Sequence, residues 1–229
     1  MNATSVVRIL PVERSDSETG VRRPSISRGA VVDAAEELLA GGGFDALSVR
    51  QLAQHLGSSR QVVYTHFDGV DGLFDALHER ASSYLAAAVA NAEGAIGTVD
   101  HMVAATRAYV LVARRHPDLY RLAFEQPVPD YAPSDTARRA GRASFGHVVV
   151  AADAFLHDPA TAVADEPPSW PPASIDLARA AWTASHGFVV LERAGYATAD
   201  ETDRLAATAV RSMLAGWPRP GGGGDELLG

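Results

Sequence analysis

An all-α fold follows from three features of this 229-residue chain. Apolar residues recur at three- and four-residue intervals, capping hydroxyls stand in front of several of those runs, and glycine or proline clusters separate them. The predicted architecture is an N-terminal three-helix unit containing a helix-turn-helix, followed by a larger helical domain.

Residues 1–24 carry no periodicity and read as a disordered arm. Ser27 is placed to cap a helix over 28–40, whose Val31, Ala34, Ala35, Leu38 and Leu39 recur at helical spacing. Gly41, Gly42 and Gly43 end it, and Phe44 and Leu47 pack the joint. Ser48, with Gln51 three residues on, has the capping-box pattern, and Leu52, Ala53 and Leu56 give the second helix its buried face. Gly57 supplies the backbone freedom of a tight turn. Ser59 can cap a third helix over 60–66, anchored by Val63 and Phe67 one turn apart, which leaves Arg60, Gln61, Tyr64 and Thr65 outward.

A long amphipathic helix is predicted over 70–93, with Leu73, Phe74, Leu77, Ala81, Tyr84, Leu85, Ala88 and Val89 on its apolar stripe. Gly94 to Gly97 break it. Thr98 can cap the next helix, which runs to His116, and Pro117 starts a short one through Leu119, Tyr120, Leu122 and Phe124. Pro127, Pro129 and Pro133 force a loop before a helix over 134–157, and the proline-rich stretch 158–173 reads as an extended connection. Two last helices, 174–194 and 199–217, read as an interface pair. Ile175, Ala178, Trp182 and Val189 share one side of the first, and Leu205, Ala209, Val210, Met213 and Leu214 one side of the second. Two such helices from each of two subunits would close a four-helix bundle with two-fold symmetry. The domain plan is thus an arm (1–24), a helix-turn-helix unit (25–69), a helical domain (70–217) and a flexible tail (218–229).

Composition narrows the function classes. A net charge of −8 argues against coating nucleic acid or anionic membrane by bulk electrostatics. With no cysteine, disulfides, thiolate zinc sites and cysteine nucleophiles are excluded. Every basic side chain apart from histidine is arginine, which reads as codon bias and carries no function. No apolar run has the length of a signal sequence or membrane span, so a cytoplasmic protein is expected. His116 with Asp118 and His157 with Asp158 fall at helix ends, where histidine complements the helix dipole. Neither pair comes with a phosphate loop, a nucleophile elbow or a metal-ligand spacing, so an enzyme, a metal and a cofactor are not expected.

The segment 48–67 is locally different from the acidic whole. It holds Arg50 and Arg60 and no carboxylate, a local charge of +2, with His55 and His66 in addition. Its last helix ends in Tyr64, Thr65 and His66, groups suited to phosphate oxygens and base edges. Ala34, Ala35, Leu38 and Leu39, the run from Gly43 to Arg50, then Leu52, Ala53, Leu56, Gly57, Ser59, Val63, Tyr64, His66, Phe67 and Leu73 form an ordered set. Residues 28–77 thereby resemble the DNA-binding domain of TetR-type transcriptional repressors.

The resemblance implies that Arg50 reaches a base or phosphate from the second helix. Arg60, Gln61 and Val62 would face base edges, with Ser59 beside them, while Tyr64, Thr65 and His66 lie against the backbone. Arginine can grip guanine bidentately, glutamine can pair with adenine and valine can touch a thymine methyl. Many family members carry lysine where this chain has Val70, which removes one phosphate anchor, and Arg22 and Arg23 in the arm could offset it. Trp182 to Gly187 resembles the signature of the WHG-type C-terminal subfamily. An effector cavity is expected between the long helix and those carrying Tyr109, Tyr120, Phe124, Phe145, Trp182 and His186. The function implied is a homodimeric repressor, released from a double-stranded DNA operator by a small-molecule effector. The alternative is a helical ligand-binding or adaptor protein that has lost its operator.

Overall fold

The computed structural model describes residues 25–157 and 170–219. The arm with Arg22 and Arg23, residues 158–169 of the proline-rich connection and the tail from 220 onward lie outside the described residues. Among those described, the regular structure is helical throughout, without strands.

Helix α1 spans Arg28–Gly42, and Ser27 Oγ accepts a hydrogen bond from the Ala30 amide at 3.2 Å. It ends at Gly43, whose φ of 65° is a conformation a side chain would oppose. A 3₁₀ turn, Phe44–Ala46, leads to α2, Val49–His55. Ser48 Oγ accepts from the Gln51 amide, but Gln51 answers with its side-chain carbonyl accepting from the Ser48 hydroxyl at 2.7 Å, a tighter local bond than the reciprocal capping box. Gly57, at φ 58°, turns the chain into α3, Gln61–His66. Ser59 does not cap α3: Arg60 occupies the N-cap position without a side-chain cap bond.

Helix α4 spans Gly69–Ala90, α5 Val99–Arg115, α6 Pro117–Phe124 and α7 Asp135–Leu156. Thr98 and Ser134 cap α5 and α7, and Pro117 opens α6, where its missing amide hydrogen has no intrahelical partner to lose. Helices α8, Pro172–Arg193, and α9, Ala199–Gly216, complete the chain, and Thr198 with Glu201 forms a reciprocal capping box in front of α9.

The first turns of α4 supply Leu73, Phe74, Ala76 and Leu77 to the core that Val31, Ala35, Leu39, Leu52 and Val63 build in the N-terminal unit. Leu119 and Leu122 of α6 close that core from the other side. A second core lies among α5, α7, α8 and α9, around Val149, Ala152, Leu177, Ala178 and Val210. The faces expected at a subunit interface are largely internal. Ala178, Val189, Val210 and Leu214 turn into the subunit's own interior, because α8 and α9 pack with those sides on α5, α7 and each other. The apolar groups left outside on this pair are Val190, Leu191, Leu205 and, in the connecting turn, Tyr196, which is 82% exposed.

Candidate nucleic-acid interface and cavity

Six residues do not make a stable helix alone, and α3 is held by what it buries. Val63 is fully enclosed, and Phe67 closes the C-terminus with the Arg28 guanidinium 5.0 Å from its ring centroid. His66 Nε2–H donates to the Ile26 carbonyl at 2.7 Å, tying the end of α3 to the chain before α1. Arg60, Gln61, Tyr64 and Thr65 face outward, Tyr64 with 55% of its surface free. Ser59 precedes them on the surface, and Arg50 is exposed on α2. Among the described residues neither Arg50 nor Arg60 has a carboxylate partner.

Val62 departs from its expected place. It is only 9% exposed and packs beside Val63 in the core, so its methyls are not offered to a base. A short helix wedged between α1 and α2 has to bury two adjacent positions, which narrows the outward face. Thr65 is also partly engaged, its hydroxyl donating to the Gln61 carbonyl at 2.8 Å.

Farther along α4 a cavity of about 430 Å³ opens between α4, α5, α6, α7 and α8. Tyr109, Phe124, Phe145 and Trp182 line it, together with Leu85 and Val89 of α4. Tyr120 and His186 do not: they stand behind the wall. The Trp182 indole N–H donates to Tyr109 Oη at 3.0 Å. The Tyr109 and Tyr120 hydroxyls share a hydrogen bond at 3.0 Å, and Tyr120 Oη lies 2.5 Å from His186 Nδ1. Burial pushes the Tyr109 phenol up to about 12 and raises Tyr120 further, so both keep their protons. Burial also lowers His186, leaving it a neutral acceptor for Tyr120.

Comparison with known proteins accounts for both regions. Residues 31–77 match the family described as bacterial regulatory proteins, tetR family, and residues 102–213 match the tetracyclin repressor-like C-terminal domain. The chain belongs to the TetR family. The C-terminal match is to that domain and not to the WHG-type one that Trp182 to Gly187 resembles. An uncharacterised HTH-type transcriptional regulator of Mycobacterium tuberculosis is 26% identical over 200 residues, 87% of this chain and 85% of that protein. A second protein of that organism, an HTH-type transcriptional repressor, is 39% identical over 88 residues, 38% of this chain and 46% of the repressor. Among solved structures, a Rhodococcus protein of unknown function has a TM-score of 0.65 at 28% identity, covering 87% of this chain and 99% of its own. An Acinetobacter baumannii TetR variant solved with minocycline shares the fold, with a TM-score of 0.56 at 20% identity over 83% of this chain and 95% of its own. The protein is therefore a DNA-binding transcriptional regulator and not an enzyme.

Among the described residues of this TetR-family regulator, no helix is long and apolar enough to cross a membrane. The reading unit is joined to the rest through Glu36 of α1. Its carboxylate accepts from Arg80 Nη1 at 3.1 Å and from Tyr84 Oη at 3.1 Å, both on α4, and lies 2.9 Å from His116 Nδ1 at the start of α6. Arg80 also grips Asp33 at 2.5 Å. Sequence reasoning missed this junction, since its members lie 44 to 80 positions apart. It missed the buried His78 and the three arginines beside the cavity for the same reason. The only local signal was a carboxylate at Glu36 next to the apolar stripe of α1.

Proposed function

We propose that this TetR-family regulator is a homodimeric repressor whose residues 25–69 read DNA and whose residues 70–217 bind an effector and dimerise. Two copies of α3 would enter successive major grooves, roughly 34–36 Å apart. The observation carrying this reading is the division of α3 into a buried side, Val62 and Val63, and an exposed polar side bearing Arg60, Gln61, Tyr64 and Thr65. The exposed Leu191, Val190, Leu205 and Tyr196 of the α8–α9 pair offer apolar surface for a second subunit. The cavity has the size and apolar character of a small-molecule site. A relative named as a repressor and a structural neighbour holding minocycline agree with this reading. A ligand favouring a splayed dimer would draw the two copies of α3 out of register with their half-sites.

Footprinting of the DNA upstream of the protein's own gene tests it. A short, roughly palindromic protected site is expected. Arg60→Ala should weaken binding there by about 1–3 kcal/mol while changing folding stability by less than about 0.5 kcal/mol. Equal affinity of the wild type and Arg60→Ala would remove α3 as the reading element.

A second reading, an adaptor that has lost its operator, rests on Val70. This side chain packs against the N-terminal core and leaves the start of α4 without a cation. It predicts no protected site at all.

A further inference from the structure

The residues lining the cavity include three arginines, Arg138, Arg142 and Arg179, and not one carboxylate, in a protein whose net charge is −8. All three arginines are exposed and mark the rim. Arg138 is paired with Asp135 at 3.1 Å and Arg179 with Asp176 at 3.8 Å, each on its own helix and out in solvent, where such pairs are weak. Arg142 has no ion-pair partner among the described residues. The guanidinium fork suits a carboxylate bidentately, and low-dielectric walls around a single sign of charge focus its field.

The floor is different in kind. His78 is 6% exposed, and its Nδ1 is buried with no hydrogen-bond partner. It sits against Gly141 of α7, where an added Cβ would stand 3.6 Å from His78 Cε1 and 3.9 Å from Ser82 Oγ. Ser82 spends its proton on the His78 carbonyl. Between floor and rim the walls are Leu85, Val89, Phe124, Phe145 and Trp182. A buried, unsatisfied ring nitrogen is costly unless a ligand or water completes it.

We propose that the cavity takes an apolar organic acid: an aromatic or acyl body between α4, α7 and α8, a carboxylate held at the rim by Arg142 with Arg179 or Arg138, and space for one polar group at His78. This deepens the effector reading and rests on it. A neutral ligand of the same shape would satisfy the walls but leave the rim unused.

Isothermal titration of the full-length protein at pH 7.5 tests this with decanoate and 2-naphthoate, each against its own neutral amide. At least one acid should bind about tenfold more tightly than its amide, the worth of one charge-assisted hydrogen bond. Arg142→Gln should erase most of that preference and Arg142→Gln with Arg179→Gln the rest, with unchanged thermal unfolding. Equal binding of acid and amide, a preference untouched in the double variant, or no binding of either acid would overturn the proposal. Operator release is read in parallel. An acid preference without loss of DNA binding upholds the ligand class and removes the effector role. Release by amide and acid alike upholds the effector role and removes the charge selection.

Discussion

Two faces of α4 lie against opposite kinds of interior. Leu73, Phe74 and Leu77 pack in a core shared by α1, α2, α3 and α6, whereas His78, Ser82, Leu85 and Val89 face a space of about 430 Å³. The first arrangement suits an element that has to hold a fixed shape, since helices of six and seven residues are marginal without tertiary packing. The second suits a site that has to accept something. Long helices such as α4, α7 and α8, each of 22 residues, can border a void because the rest of their length is packed elsewhere.

The sharpest way to break this contrast is to remove volume on both sides of it. Leu52→Ala in the closed core should cost about 2–5 kcal/mol in denaturant unfolding. Leu85→Ala on the cavity wall should cost clearly less, because that side chain already lacks neighbours on one side. Equal losses would mean that the two interiors are equally well packed.

A smaller effect is expected at the junction between them. Glu36→Gln weakens the anchor for Arg80, Tyr84 and His116 at once, and stability should fall by about 1–3 kcal/mol. If the reading unit is steadied by this carboxylate, amide exchange should accelerate in α1 and α3 and stay unchanged in α9. Uniform acceleration would argue that the junction serves the whole subunit.

The smallest effect concerns acidity. Burial depresses His78 below its ordinary value of 6.5, against the opposing pull of Asp75, and His186 is depressed by the same cause. Below pH 6.5 the unfolded chain therefore binds more protons than the folded one. Stability should fall as pH drops through that range and gain nothing from these groups above it. The melting temperature should be lower at pH 5.5 than at pH 7.5, and His78→Leu should flatten the slope. Glu192, held low by its bond to Arg114, acts only below the ordinary carboxylate range and leaves this window clear.

Most of the helices were legible because their signals are local. Ser27 and Thr98 cap the helices they precede, and Pro117 begins its own. The outward placement of Arg60, Gln61 and Tyr64 followed from burying Val63 and Phe67. Val62 was misread because helical periodicity assigns one inward side, and α3 is embraced on two. The α8–α9 faces were misread for a related reason: an apolar stripe reveals that it will be covered, not by which chain. Four of the six expected cavity residues line the void, but Tyr120 and His186 fell behind Tyr109, since spacing along one helix cannot rank depth. Arg138, Arg142 and Arg179 come from two helices that sequence gives no reason to join.

His78 follows Leu77 directly, and past that point α4 keeps Ala81 in the closed core while it turns His78, Ser82, Leu85 and Val89 to the cavity, so one helix borders both interiors. A rod of 22 residues, about 33 Å long by helical rise, has no glycine or proline between Leu73 and Ala90 at which to bend. A group wedged into the wall of the void would press on this rod, and a tilt of it would carry the tip from which α3 hangs.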